Sequence, residues 1–196
     1  MEPRGALAGG AAGREPHLRR ARRDARELTG LGSAPPPPPG PDDHVRGPAD
    51  ARPVVVYADF ECPYCAALEQ RLGELVLRVV FRHFPVRTSH PRAWPAARAA
   101  EAAGAQGRFW EMHDALFGDQ GRLEDPHLWD RAERLGLDVA RFDVDRRADR
   151  VEERIARDFR SGVRAGVAIT PTLFVDGERH AGRPGLELLA RLTNSG

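Results

Sequence analysis

Cys62 and Cys65 are the two cysteines of this 196-residue chain, and only Pro63 and Tyr64 separate them. A pair at this spacing can exchange electrons with other thiols. The reacting species is the thiolate, and an ordinary thiol is only about 3% ionised at neutral pH, whereas cysteines of such pairs at helix N-termini have pKa values of roughly 3.5 to 7.5. Cys62 is therefore the expected nucleophile and the more exposed of the two. Cys65 follows one helical turn later on the same face, where the sulfurs can meet. It is the expected resolving thiol, more shielded and with a more ordinary pKa. A purely structural disulfide is the weaker alternative, because closing a four-residue loop stabilises by only about 1.9 kcal/mol, against about 4.7 for a hundred-residue loop. A zinc site needs about four ligands, and the sequence offers no third cysteine and no His-x3-5-His pair. No metal and no cofactor are expected.

The elements that must position this pair can be read on either side of it. Val54 to Tyr57 is short, β-branched and aromatic, a buried strand. From Pro63 to Leu75 apolar residues recur at Ala66, Leu68, Leu72 and Leu75, with proline suited to the first helical position. The cysteines thus sit where a strand hands over to a helix, at unpaired N–H groups and the positive end of the macrodipole. Leu77 to Phe84 reads as a second strand, closed by Pro85, which completes a right-handed βαβ unit. A long helical stretch follows: alanine-rich Pro95 to Ala105, Arg108 to Asp119, Pro126 to Leu135, Val139 to Arg146, and a helix carrying Val151, Ile155, Phe159 and Val163. His113 shares the apolar face of the second of these and is expected to be packed rather than catalytic. Thr172 to Val175 and Glu178 to Ala181 form a hairpin around Asp176-Gly177, and Leu186 to Leu192 is a closing helix.

At this point the chain resembles the DsbA-like thiol-disulfide oxidoreductases. The carrying residues are Asp59-Phe60-Glu61-Cys62-Pro63-Tyr64-Cys65, Phe81-Arg82-His83-Phe84-Pro85, Phe109-Trp110-Glu111-Met112-His113-Asp114 and Thr170-Pro171-Thr172-Leu173-Phe174-Val175-Asp176-Gly177, within a match spanning roughly His44 to Leu192. The resemblance implies an α/β thioredoxin fold (βαβ…ββα) with a helical block inserted at about 86–168. It also implies that Thr170-Pro171 is a cis bond facing the cysteines, so that Pro63, Tyr64, Thr170 and Pro171 support the site. The Pro63-Tyr64 dipeptide is typical of glutaredoxins, which are much smaller and lack the helical block. Family members often carry an acid in the first strand, six positions before the nucleophile, to move the proton of the resolving thiol. Here that position is Val56. Asp59 and Glu61 are nearby acids, read equally as solvated, turn-forming residues.

The implied activity is thiol-disulfide exchange with substrate proteins or low-molecular-weight thiols, by a monomer. The competing reading is a non-catalytic thioredoxin-fold interaction domain, tethered by a basic, proline-rich arm; relatives also occur fused to membrane transporters. Residues 1–43 read as a disordered tail, with Pro35 to Pro39 a stiff polyproline segment, and 44–196 as the folded domain. Between Arg14 and Arg26 six arginines face two acids, but over the chain 30 basic residues, all arginine, nearly cancel 29 acidic ones. No specific nucleic-acid partner is expected. No apolar run approaches the 18 residues of a membrane span, and Ala6 to Ala12 lacks the leucine-rich character of a secretory leader. The expected location is cytoplasmic.

Overall fold

The computed structural model describes residues 34–193. Five strands form one sheet: β1 (His44–Arg46), β2 (Pro53–Ala58), β3 (Arg78–His83), β4 (Thr172–Val175) and β5 (Glu178–Ala181), in the order β1-β3-β2-β4-β5. β2 and β3 run parallel, joined through α1 (Pro63–Leu72), and the other pairs are antiparallel. Five helices separate β3 from β4: α2 (Ala93–Gly104), α3 (Phe109–Gly118), α4 (Asp125–Arg134), α5 (Val139–Asp145) and α6 (Asp149–Arg164). α7 (Leu186–Thr193) follows the hairpin. This is the expected thioredoxin fold with its helical block.

The period of two along β2 sorts its side chains to the two faces. Val54, Val56 and Ala58 join the main core with α1, α2 and α3, whereas Val55 and Tyr57 pack with Val80, Phe84 and Phe174 under the end of α6. Gly162 is the residue that lets α6 approach there, since a Cβ on it would stand 2.7 Å from the Phe84 ring and 2.9 Å from that of Tyr57.

Three boundaries depart from the sequence reading. α1 stops at Leu72 rather than Leu75: the Gly73 N–H still bonds to Glu69 O, but the next N–H groups, of Glu74 and Leu75, turn to Arg71 O and Leu72 O, one residue short of the helical pattern. α2 begins at Ala93, before Pro95, which fits because a proline in the first turn gives up an N–H that has no helical partner. β1 was not expected at all: three half-buried residues carry no apolar run, and they are held by pairing with Val79, Val80 and Phe81.

Of the expected tail, residues 1–33 lie outside the described residues. Pro38, Asp42 and Asp43, on the tail side of the proposed boundary at 43/44, accept hydrogen bonds from arginines of the body. The Arg82 guanidinium, itself buried, donates to both carboxylate oxygens of Asp43 at 3.0 and 2.9 Å, to Pro38 O at 3.3 Å and to the Tyr57 hydroxyl at 3.1 Å. Burial pushes the Asp43 carboxyl up, and bonds from Arg82 and the Gly40 N–H outweigh it, holding the group below its ordinary value. No helix among the described residues is long and apolar enough to cross a membrane.

Candidate active site

Cys62 is the N-cap of α1, in an extended conformation, with Pro63 opening the helix. The turn before it is tied by Cys62 N–H to Asp59 O at 3.1 Å, and the first helical bond runs from Cys65 N–H to Cys62 O at 3.0 Å. The two sulfurs belong to one hydrogen-bonded group and are free thiols. The Cys62 pKa is lowered to about 5, foremost by the hydrogen bond from the Cys65 thiol; burial opposes this, while the Thr170 side chain and the N–H groups of Cys65 and Tyr64 add to it. At neutral pH a group with that pKa is about 99% thiolate. Cys65 moves the other way: burial first, then its bond to Cys62 and the charge of the Cys62 thiolate, push it well above the ordinary thiol value.

Two sequence expectations are corrected here. Cys62, expected to be the more exposed of the two, is so only by a small margin: it is 3% accessible, against 0% for Cys65, and both are buried. What distinguishes them is the cavity of about 740 Å³ that Cys62 lines with Tyr64, Val86, His90, Ile169 and Thr170, among others, and that Cys65 does not reach. Cys65 also lacks the ordinary pKa expected of it, because it lies inside the core.

Thr170 and Pro171 come to the pair from the far end of the chain. The Thr170-Pro171 bond is cis, and Thr170 O stands 3.4 Å from Cys62 Sγ, close enough to accept from the thiol form. Tyr64 and Ile169 are 60% and 52% accessible at the rim, an apolar lip around a reactive sulfur.

Neither neighbouring acid is solvated. Asp59 is 1% accessible; its carboxylate accepts from the Glu61 N–H, the Val86 N–H and His90 Nδ1, each at 2.8 Å. The turn-forming half of the expectation is right, the solvated half is not. Glu61 accepts from Arg92 at its backbone N–H (2.6 Å) and Nε (2.8 Å), and Arg92 continues to Glu124. The helical block also supplies Gln120, whose amide donates to Phe60 O at 2.8 Å and Cys62 O at 2.9 Å. Sequence reasoning missed His90, Arg92 and Gln120, whose partners are 31 to 60 residues away. A His-Pro-Arg triplet soon after Pro85 was the available signal.

Among the described residues one group has metal-ligand atoms close together, His44, His83 and Glu101, all within 4.8 Å. Its own hydrogen bonds close it, since Glu101 Oε1 accepts from His44 Nε2 at 2.6 Å and from His83 Nε2 at 2.7 Å. His83 Nδ1 is buried without a partner, whereas a metal-bound imidazole donates through its second nitrogen. His113 is fully buried against Phe81 and Phe117, bonded to Asp114 at 2.8 Å, as a packed histidine should be.

α1 carries a second unusual group one turn past Cys65. Glu69 is buried, with Oε1 unpaired and Oε2 3.4 Å from Arg46, and burial lifts its pKa to about 7 despite that arginine. Because the folded value exceeds the unfolded one of about 4.3, the fold loses stability as pH rises from about 4.3 to about 7, by roughly 4 kcal/mol in total. Glu69→Gln, which keeps the shape of the protonated acid, should match the parent at pH 4 and exceed it by a few kcal/mol at pH 8. Urea unfolding at both pH values checks this, and equal differences at the two would sink it.

The comparisons agree with this geometry. A family described as Thioredoxin matches residues 40–194. Among solved structures, a thioredoxin-like oxidoreductase from Silicibacter pomeroyi DSS-3 is 28% identical with a TM-score of 0.71, covering 78% of this chain and 91% of that one. DsbA2 of Pseudomonas aeruginosa is 26% identical with a TM-score of 0.64, covering 79% and 94%. Curated relatives include Na(+)/H(+) antiporter NhaA 1 of Salinispora arenicola, 47% identical over 165 residues (81% of this chain), and NhaA 3 of Salinispora tropica, 48% over 160 (78% of this chain). The chain spans about a quarter of the length of these two curated relatives, 25% and 24%. With the sheet order, the paired cysteines and the cis-proline beside them, these matches make the chain a member of the thioredoxin family, among the DsbA-like thiol-disulfide oxidoreductases.

Proposed function

We propose that this protein is a disulfide oxidoreductase acting through Cys62 as nucleophile and Cys65 as resolving thiol. The observation that carries this reading is a Cys62 sulfur with its pKa lowered to about 5, placed on an open cavity and bonded to a second, buried thiol. In the reducing direction the Cys62 thiolate attacks a substrate disulfide and one substrate sulfur leaves as a thiolate. Cys65 then attacks Cys62, the mixed disulfide breaks, and the second substrate thiolate leaves. The oxidising direction is the reverse. Pro63, Tyr64 and Thr170 line the cavity in which the substrate sulfur must lie, with Pro171 next to Thr170 in the chain, and no cofactor takes part. Substrates are thiol- or disulfide-bearing proteins or low-molecular-weight thiols, met by a monomer.

The lowered pKa also argues for direction. A thiolate exists only in the reduced protein, so whatever stabilises it favours the reduced state and makes the disulfide form an electron acceptor. The preferred direction is therefore oxidation of substrate thiols, with a substrate thiolate attacking the Cys62 sulfur of the disulfide form. Equilibration with glutathione should give a potential nearer about −120 mV than about −270 mV, and the protein should turn over insulin disulfides. A potential at the low end would overturn the direction, and absence of turnover would overturn the activity. The matches to antiporters favour a second reading, in which the domain serves beside a transporter as an interaction or regulatory module; it gains if both cysteines are dispensable.

A further inference from the structure

A second cavity, of about 730 Å³, is formed by α1 and α3 together with Arg46 of β1. Small residues, Ala66, Ala67, Gly73 and Gly118, leave it room, and Phe117 gives it an apolar surface. Its charges do not balance. Among the described residues that line it, Glu69, Glu74 and Asp114 face a single base, Arg46. That base is already engaged: its guanidinium donates to both oxygens of Asp114 at 2.8 and 3.1 Å, lies over the Trp110 ring, and reaches only Oε2 of Glu69, at 3.4 Å. His113 of α3 stands 3.6 Å from the same oxygen and adds no charge near neutral pH, because burial lowers its pKa to about 4. The other Glu69 oxygen, Oε1, meets no donor among the described residues, although Glu69 is only 6% accessible. A buried, ionised and half-satisfied carboxylate is a costly group, and a cationic donor entering from the cavity would relieve it.

We propose that an arginine between Arg14 and Arg26 of the same chain docks in this groove and donates to the Glu69 carboxylate. That segment lies outside the described residues, and its sequence carries six arginines against two acids. The chain has no lysine, so the permanently charged side chain it can offer is a guanidinium. Its planar fork matches a carboxylate, and it is more weakly hydrated than an ammonium. Ala66, Ala67 and Phe117 supply apolar surface for the stem behind it. Two guanidiniums would still face three carboxylates, so Arg46 does not exclude a second one. The reach is sufficient. Pro38 is bonded to Arg82, and Arg46 pairs with Val79, three residues from Arg82 along β3 and so about 10 Å away. The twelve residues from Arg26 to Pro38 extend to about 40 Å. Docked there, the segment ties α1, which carries both cysteines, to α3 of the helical block.

A double-mutant cycle in the full, reduced chain tests this by urea unfolding at pH 8, where Glu69 is mainly ionised. Its four corners are the parent, Glu69→Gln, a tail variant with Arg14, Arg19, Arg20, Arg22, Arg23 and Arg26 all changed to Gln, and the combination. The tail variant should lower the folding equilibrium constant about 10-fold where Glu69 is present and leave it unchanged in Glu69→Gln. Equivalently, the stabilisation by Glu69→Gln at pH 8 should be about 10-fold larger, as an equilibrium constant, once the tail arginines are gone. Both cysteines are intact throughout, so the outcome is independent of the redox reading. A glutamine tail that acts alike on the parent and on Glu69→Gln, or that leaves the parent unchanged, would overturn the proposal. A loss that depends on protein concentration would put the segment on a second copy and overturn its assignment to the same chain. Added argininamide that stabilises the parent as much as the tail variant, in each case only with Glu69 present, would mean a groove open to bases from elsewhere and would overturn it too.

Discussion

Cys62→Ser abolishes disulfide exchange, with a loss of about 1000-fold or more, while Cys65→Ser still attacks disulfides and accumulates as a mixed disulfide. The asymmetry follows from the opposite pKa shifts of two adjacent sulfurs. Cys62 is mainly thiolate above about pH 5 and stands on the cavity, whereas Cys65 is a buried thiol held protonated. In the reduced protein, alkylation by iodoacetamide should occur first at Cys62. Its rate should rise with pH through about 5 and then stay level until ordinary thiols begin to ionise. Mass spectrometry after incubation with a disulfide substrate decides the roles: adducts on Cys62→Ser with none on Cys65→Ser would reverse them. The same shift makes a statement about stability. Because the folded value lies below the unfolded one, the thiolate contributes stability to the reduced protein that is fully present above the ordinary thiol pKa and lost as pH falls through about 5.

The second large effect lies away from the cysteines. Arg82 and Asp43 are 4% and 8% accessible in their side chains and hold each other through two hydrogen bonds. Removing either partner leaves a buried charge uncompensated, which costs about 3 to 5 kcal/mol. Arg82→Ala, Asp43→Ala and a chain beginning at His44 should all be destabilised to that degree in urea titrations. A chain beginning at Asp42 should keep both the pair and its cooperative unfolding. The contribution of Asp43 is present above the ordinary carboxylate range and is lost as pH falls through its lowered folded value. If the His44 start matches the Asp42 start in stability, the ion pair is not what closes the N-terminal side of the sheet.

Much of the fold was legible because local pattern and tertiary role coincide. Val54 to Tyr57 is apolar on both faces, as a strand between two others must be, and its neighbours in the sheet are β3 and β4. The helices of the block repeat apolar residues at helical spacing, and their bounds fell within a few residues. What stayed hidden was whatever depends on a distant partner. β1 has three residues and no pattern, so its only signal is the strand it pairs with. The acids Asp59 and Glu61 look solvated in sequence because nothing local covers them. His90 and Arg92, each 31 residues from the acid it covers, bring the cover when α2 docks over the turn. Cys62 was expected to be clearly the more exposed cysteine for the same reason.

Gln120 draws one further consequence from that docking. A single side chain from the segment between α3 and α4 satisfies the carbonyls of Phe60 and Cys62, so the turn that presents the nucleophile is not self-sufficient. The helical block cannot then be treated as an ornament on a minimal thioredoxin scaffold. Excising it to make a smaller catalyst would leave two carbonyls at the reactive turn without these donors and free Glu61 from Arg92. Grafting the Cys-Pro-Tyr-Cys tetrapeptide onto another thioredoxin should likewise transfer the sulfurs without their chemistry. The transplantable unit is discontinuous: residues 59 to 65 together with His90, Arg92 and Gln120.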